Sequence, residues 1–257
     1  MVLILVFFFI LGSIFGSFLN VVIDRSLRGE SILGRSYCDW CKTRLPTIDL
    51  VPILSFAVQK GRCRHCRRKL AWQYPLVEIG TGSLFVFCSY FQIANNGLSF
   101  ISLIYLLFIV CILMVVTVVD LKFSLIPTTF IFFSSLVALF YNYLTLSSSI
   151  FVDHVLAAFA AGLFFGAIVL VTRGRGMGSG DIFLVFLIGM VLGFKSMVLA
   201  IFLAFFLGAV VSIGLIFLRR KRFGQTIPFG PFLVLGFFLA LFWSKQIIDW
   251  YLMLYLR

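Results

Sequence analysis

The sequence predicts an all-α polytopic membrane protein of about eight transmembrane helices with one large soluble loop on the cytoplasmic side, and three observations carry that reading. First, 62% of the 257 residues are hydrophobic, only 12% are charged, and 33 are phenylalanine. A soluble domain of this length has too little interior to hide so much apolar surface, so the solvent is lipid. Second, apolar runs near the roughly 20 residues needed to cross a bilayer as a helix recur along the whole chain. Third, lysine and arginine concentrate in alternate loops, as the positive-inside rule requires of cytoplasmic segments.

The first run, residues 1–23, has no basic residue ahead of its apolar core, and its first cation, Arg25, comes after it. That order is the reverse of a cleavable secretory signal, so the run reads as a retained first transmembrane helix. Residues 24–75 then form a loop domain, and residues 76–257 hold the remaining, about seven, helices. Their runs are 76–94, 98–119, 126–146, 152–172, 182–194, 196–218 and 229–250. The run 182–194 is too short alone and lengthens when residues from Ser179 onward are included. With the N-terminus outside, the inside loops 24–75, 120–125, 173–181 and 219–228 carry 18 of the 21 Lys and Arg; only Lys195, Lys245 and Arg257 fall outside. The net charge of +12 is thus a topology and lipid-headgroup signal, and nucleic acid is not an expected partner. Gly12/Gly16, Gly162/Gly166 and Gly189/Gly193 have the G-x-x-x-G spacing that lets helices approach closely. Asp24 and Arg25 read as a local ion pair ending the first helix, and His154, beside Asp153, as an interfacial cap.

The loop domain carries Cys38-Asp39-Trp40-Cys41 and Cys63-Arg64-His65-Cys66, two C-x2-C turns separated by residues 42–62. Each turn brings two thiolates to one ion, and two turns close a tetrahedron, so the four cysteines are expected to hold a structural zinc ion. Four thiolates leave no open position for a catalytic water. Two disulfides are the competing reading, which a reducing cytoplasmic loop disfavours. The basic cluster from Lys60 to Lys69 would offset the charge of four thiolates or face anionic lipid. Cys88 and Cys111, each alone in an apolar helix, read as small hydrophobes.

Asp120 and Asp181 abut long apolar runs on the same, cytoplasmic side. A carboxylate within a membrane helix costs roughly 2.5–3.5 kcal/mol at the centre and less near the interface, so two on one face read as a functional pair. Two carboxylates that share a proton and hold a water are the parts of an aspartic protease. Gly176, Gly178 and Gly180 before Asp181 let the backbone approach a substrate closely, and the helix start favours the charged aspartate. Pro127 marks a helix break shortly after Asp120. Glu78, a few residues into the second helix, would hold a cationic group or support the loop by pairing with an arginine, and the residues do not choose between these. For the aspartates, the alternatives are ion or proton binding in a transporter, or simple helix capping.

Taken together, these motifs resemble the bacterial type IV prepilin peptidases, membrane aspartic proteases of the G-x-G-D class. Gly178-Ser179-Gly180-Asp181 matches the defining motif, and Asp120 through Ile126-Pro127 matches the other catalytic segment. Gly16-Ser17-Phe18-Leu19-Asn20-Val21-Val22-Ile23-Asp24-Arg25 is similar to the N-terminal signature of the family. Tyr74-Pro75-Leu76-Val77-Glu78 and Ile227-Pro228-Phe229-Gly230-Pro231 follow in the expected order. The family often has an acidic residue where Thr128 stands and a lysine where Phe183 stands, so local charge differs here.

The resemblance implies a multi-pass protein of the bacterial inner or plasma membrane. It also implies cleavage of precursors of pilins and pseudopilins between a basic leader and an apolar helix, at the cytoplasmic face. Asp120 and Asp181 are then the catalytic pair, one activating water as base and the other polarising the scissile carbonyl. The resemblance also implies N-methylation of the new amino terminus with S-adenosylmethionine, for which the sequence displays no evident cofactor site. A related intramembrane aspartic protease with another substrate is the alternative, and the identity of the pilin and the oligomeric state lie outside the reach of the resemblance.

Overall fold

The computed structural model describes residues 1–96, 99–174, 176–218 and 227–255. The basic run 219–222, Arg175 and Arg257, which entered the charge count above, lie outside the described residues. The described residues contain helices and no strand, with two isolated bridges, Tyr37–Arg44 and Arg62–Lys69, in the loop domain. In chain order the α-helices are α1 (Val2–Arg28), α2 (Leu54–Val58), α3 (Gln73–Asn96), α4 (Phe100–Phe123), α5 (Thr128–Thr145), α6 (Ser148–Val171), α7 (Ser179–Leu192), α8 (Phe194–Phe217) and α9 (Gly230–Tyr255). Seven of them are long and apolar enough to cross a membrane. The eighth expected crossing, α7, has 14 residues and spans only about 21 Å at 1.5 Å per residue. Large apolar side chains such as Phe7, Leu163, Phe202 and Phe217 are exposed, as a lipid solvent permits.

The chain divides into two compact units, Met1–Val115 and Val116–Arg257. In the first, α1 and α3 lie against each other along a seam of glycines. A Cβ on Gly12 would sit 2.8 Å from Gly82 Cα, and one on Gly16 would sit 2.8 Å from Glu78 Cα, so backbone meets backbone at both. The first helix is longer than its apolar run predicts and ends where Gly29 takes φ 65, a left-handed cap that glycine adopts without strain.

In the second unit, α7 is apolar on every side and packs against α5, α6, α8 and α9. A helix apolar all round belongs in an interior, and Leu184, Val185, Leu187, Ile188 and Met190 are accordingly buried. Gly189 lies so near α6 that a Cβ would sit 2.7 Å from Ala158 Cα, whereas Gly166 faces nothing within 4 Å and takes no part in close packing. The helix ends at Gly193, φ 73 and ψ 174, and α8 starts one residue later. Asp153 and His154 serve the turn between α7 and α8. The Asp153 Oδ2 accepts from the Phe194 N–H at 2.9 Å, starting α8. His154 Nδ1 lies 2.9 Å from the Met190 carbonyl, to which the buried Asn142 amide also donates at 2.7 Å, closing α7. Polar groups from α5 and α6 thus satisfy the backbone of a turn that would otherwise be orphaned in an apolar setting.

Candidate functional site

Asp120 occupies the last turn of α4 and Asp181 the first turn of α7; they are 4% and 6% exposed. The segment that follows Asp120 reaches the one that holds Asp181: Ile126 lies against Gly180, the residue before Asp181. Each aspartate is held by a backbone N–H at the start of a helix. The Gly230 N–H, first in α9, donates to Asp120 Oδ2 at 2.8 Å in a buried bond. The Gly178 N–H, at the N-cap of α7, donates to Asp181 Oδ2 at 3.1 Å. First-turn N–H groups have no partner within their own helix and carry the positive end of its dipole, so both aspartates occupy anion-favouring places. Asp181 Oδ1 is buried with no protein hydrogen-bond partner, which leaves it for a water or a substrate group.

The local chain explains why the pair forms. After Asp120 the helix stops as Ser124 turns to φ 52, its N–H donating to the Asp120 carbonyl at 2.8 Å. Ile126 and Pro127 carry the chain into α5, with Pro127 as its N-cap. Gly180 permits this passage, since a Cβ there would stand 2.7 Å from Ile126 Cβ. Gly178, Gly180 and Pro127 therefore gather with the two aspartates in the second unit. Gly230 belongs to the segment Ile227-Pro228-Phe229-Gly230-Pro231 noted above, but it had no role readable from the sequence, because its contribution is a backbone N–H.

The four loop cysteines converge in the first unit. Their sulfurs all lie within 4.8 Å of one another, and Cys38 Sγ is 3.9 Å from Cys66 Sγ. A tetrahedral ion with Zn–S bonds of about 2.3 Å requires sulfurs about 3.8 Å apart, so the cluster fits zinc, and soft thiolates are the donors zinc prefers. All four cysteines are free of disulfides. Both knuckles repeat one backbone pattern. In the first, Cys38 N–H donates to Thr43 O and Lys42 N–H to Cys38 O; in the second, Cys63 N–H donates to Arg68 O and Arg67 N–H to Cys63 O. Lys42 and Arg67, each directly after its second cysteine, take φ 56 and 58. The Arg68 guanidinium lies 4.6 Å over the Trp40 ring, tying one knuckle to the other. Arg28 pairs with Asp39 at 2.6 Å and holds that carboxyl below its ordinary range.

Glu78 also lies in the first unit, buried on α3, where its Oε2 accepts from the Ile53 N–H at 2.7 Å. Ile53 has φ 62 and ψ −51, and the Leu54 N–H returns to the Pro52 carbonyl. Such a positive-φ γ-turn is rare, and with a β-branched centre it stores on the order of 1–3 kcal/mol. Nearby, the Tyr74 hydroxyl donates toward Asp24 Oδ2 at 3.1 Å and Asp39 Oδ2 at 3.3 Å. Arg25, buried, donates to the carbonyls of Ser31, Ile32 and Arg35, fastening the chain that follows α1. Cys88 and Cys111 are buried in α3 and α4, as small hydrophobes would be.

Two family models match the chain. One, described as the bacterial peptidase A24 N-terminal domain, covers residues 10–92; the other, described as the type IV leader peptidase family, covers residues 107–213. Among curated proteins, the chain is 34% identical to a prepilin leader peptidase/N-methyltransferase of Bacillus subtilis (strain 168), over 95% of this chain and 96% of the relative. It is 31% identical to the protein of the same name from Aeromonas salmonicida (strain A449), over 95% and 92% of the two chains. For that of Pseudomonas aeruginosa the identity is 27% over 95% and 91%. No solved structure matches.

Proposed function

The chain belongs to the type IV leader peptidase family, and from that premise we propose that it is a membrane aspartic endopeptidase that removes the leader of type IV prepilins or pseudopilins at the cytoplasmic face and N-methylates the new amino terminus. The observation that carries the reading is the buried pair Asp120 and Asp181, each anchored by a helix-start N–H. In the reaction one carboxylate, ionised, takes a proton from water while the water oxygen attacks the scissile carbonyl. The other, protonated, donates to the carbonyl oxygen and later helps protonate the leaving amine. Two carboxylates that serve one water share its proton, so the roles belong to the pair. Asp181 Oδ1, the buried oxygen without a protein partner, is the position for the lytic water. The anchoring N–H groups keep the carboxylates in place as the charge moves, which is preorganisation. The bacterial relatives and the seven apolar helices support a cell-membrane location, and the distribution of basic residues supports a pair facing the cytoplasm.

In the loop domain, residues 24–75, Cys38, Cys41, Cys63 and Cys66 would hold a structural zinc ion in a closed site that would fix the two knuckles. S-adenosylmethionine supplies, when bound, an electrophilic methyl carbon: the new amine forms the N–C bond, the C–S bond breaks, and the amine loses a proton. The relatives that carry the N-methyltransferase name support this second activity.

The test is leader cleavage of a prepilin by membranes containing wild type, Asp120→Ala or Asp181→Ala at matched abundance. Cleavage by wild type alone is expected. Cleavage by either variant at the wild-type rate sinks the aspartic-protease reading and turns attention to ion binding by the pair.

A further inference from the structure

We propose that the cysteine loop docks on the cytoplasmic leaflet of the bilayer. An apolar lip formed by Ile48, Val51, Leu54, Val58 and Trp72 inserts among the lipids, and a basic rim, Lys60 to Lys69, rests on anionic headgroups. This surface exists whatever reaction the aspartates carry out. Leu54, Val58 and Trp72 are 64%, 77% and 72% exposed. Leu54 and Val58 are four residues apart, so the short helix α2 turns both to one side. Apolar side chains gathered on one surface beside cations mark a place of contact with a membrane or a partner.

The depth of this lip along the transmembrane helices selects lipid. The apolar run of α1 extends to Ile23 and meets its first charged side chain at Asp24. A Cβ on Gly16 would sit 2.8 Å from Glu78 Cα, so Glu78 stands level with Gly16, eight residues or about 12 Å inside Asp24. Glu78 Oε2 in turn accepts from the Ile53 N–H at 2.7 Å. A glutamate side chain and one hydrogen bond together are shorter than that rise. The turn at Ile53, with α2 directly after it, therefore lies on the membrane side of Asp24. The start of α3 gives a second marker: Asn20, inside the same apolar run, donates to the Tyr74 carbonyl at 3.1 Å. Trp72, just before α3, thus sits at the boundary of the bilayer, where tryptophan is enriched. It also joins the loop to a face of α3 that meets lipid. Leu76 and Ile79, four and seven residues on, are exposed, and the Trp72 ring packs on Phe56 of α2 at 5.2 Å.

Charge selects the kind of lipid. From Leu54 to Trp72 the chain has six cations, Lys60, Arg62, Arg64, Arg67, Arg68 and Lys69, and no aspartate or glutamate. A zinc ion on four thiolates would leave a charge of about −2, too little to require six cations. Arg64 pairs with Asp49, and Arg68 lies over Trp40. Lys60, Arg62 and Arg67 are exposed and enter neither ion pair found among the described residues. Lys60, two residues after Val58, takes φ 53 and turns the chain at the end of α2, so cations border the apolar lip. Basic side chains beside inserted apolar ones are the pattern of an interfacial segment on an anionic membrane, and salt screens their attraction. A second copy of the chain, or a basic leader, would meet like charge on this surface.

The test uses the full chain in nanodiscs of equal parts phosphatidylcholine and phosphatidylglycerol, with the photoreactive residue p-benzoylphenylalanine in place of Val58. Irradiation should join this position to phospholipid, read by mass spectrometry of the peptide that contains it. The same residue in place of Leu163, exposed on α6, reports ordinary lipid contact. Among adducts at Val58, phosphatidylglycerol should exceed phosphatidylcholine at least about fivefold, the preference one basic side chain confers at an anionic surface, with no such preference at Leu163. Combining Lys60→Gln, Arg62→Gln and Arg67→Gln, at an unchanged melting profile, should bring the ratio below about twofold while lipid labelling persists, and high salt should act alike. Lipid adducts at Leu163 with none at Val58 overturn the docking. So do adducts at Val58 with a second copy of the chain or with added prepilin in place of lipid. Lipid labelling at Val58 without preference for phosphatidylglycerol, or a preference that survives the triple substitution, overturns the role of the basic rim and the proposal that includes it.

Discussion

Replacing Gly230 by alanine tests whether a backbone N–H positions the proposed catalytic pair. Gly230 is the first residue of α9, and its N–H donates to Asp120 Oδ2 at 2.8 Å. Pro231, next in the chain, has no N–H, and the Phe232 and Leu233 N–H groups are taken by the Phe229 carbonyl, so Gly230 supplies the donor aimed at Asp120. A Cβ at position 230 would stand 2.6 Å from Asp120 Oδ2 and 3.3 Å from its Cγ. Ordinary contact begins near 3.4 Å, so the carboxylate must retreat by about 0.8 Å. That motion stretches the bond at 2.8 Å out of hydrogen-bonding range.

A charge-assisted bond of this kind contributes about 1.5–3 kcal/mol, and a displacement near 1 Å at a reacting group lowers rates by roughly 10²-fold. Cleavage of a prepilin by Gly230→Ala is therefore expected to fall about 10–100-fold in kcat, with KM within about threefold, because no substrate-binding group is removed. Alanine is the better helix former by about 1 kcal/mol, so helix propensity cannot account for a loss. Gly214→Ala is the control, since nothing lies within 4 Å of its Cβ position, and it should cleave as wild type does. The assay is a quenched-fluorescence prepilin peptide in detergent, with enzyme quantified by immunoblot. A kcat for Gly230→Ala within about threefold of wild type would refute the argument that this N–H holds Asp120.

Other perturbations have directions fixed by the structure. Cys38→Ser is expected to lower bound zinc from one ion per chain to below about one half, as measured by plasma emission on the purified protein, and to loosen the loop to proteolysis; full metal content after the change would remove Cys38 from the ligand set. Gly193→Ala puts a Cβ 2.8 Å from Asp153 Oδ2 at φ 73, and should destabilise the α7–α8 turn by about 1–3 kcal/mol, read as a lower melting temperature in detergent. Asn142→Ala leaves the Met190 carbonyl with one partner fewer and should cost about 1–2 kcal/mol in the same assay, while an unchanged melt would show that His154 suffices. Gly16→Ala drives a methyl against the Glu78 backbone at 2.8 Å, where no side chain can yield, so the α1–α3 seam should open, with a fall in melting temperature of several degrees.

What could be read from the sequence followed from side chains whose chemistry shows in their type and spacing. Thirty-three phenylalanines identified the solvent, the C-x2-C turns identified a four-sulfur cluster, and two lone aspartates beside apolar runs stood out as the proposed pair. What escaped depends on groups that every residue has, or on partners far along the chain. Asn142 and Met190 are 48 residues apart, and Asp153 and Phe194 are 41 apart, so neither cap has a local pattern, and His154 read only as an interfacial cap without a partner. The left-handed Lys42 and Arg67 are likewise silent, because neither residue type favours that conformation and only the repeat of the cysteine turn imposes it.

The same division runs through the proposed catalytic pair. The acids are side chains and were visible as Asp120 and Asp181. Their holders are the N–H groups of Gly230 and Gly178, present in any residue, and at Gly230 the bond also needs glycine, since a Cβ there would stand 2.6 Å from Asp120 Oδ2. A side-chain donor would bring rotamer freedom and its own titration into an apolar setting. A helix-start N–H has neither, and comes with a favourable dipole. The glycines around these aspartates are thus part of the device that fixes two charges in lipid. That is why the Gly230 substitution, which leaves every ionisable group intact, is the sharper test of the mechanism than removal of either aspartate.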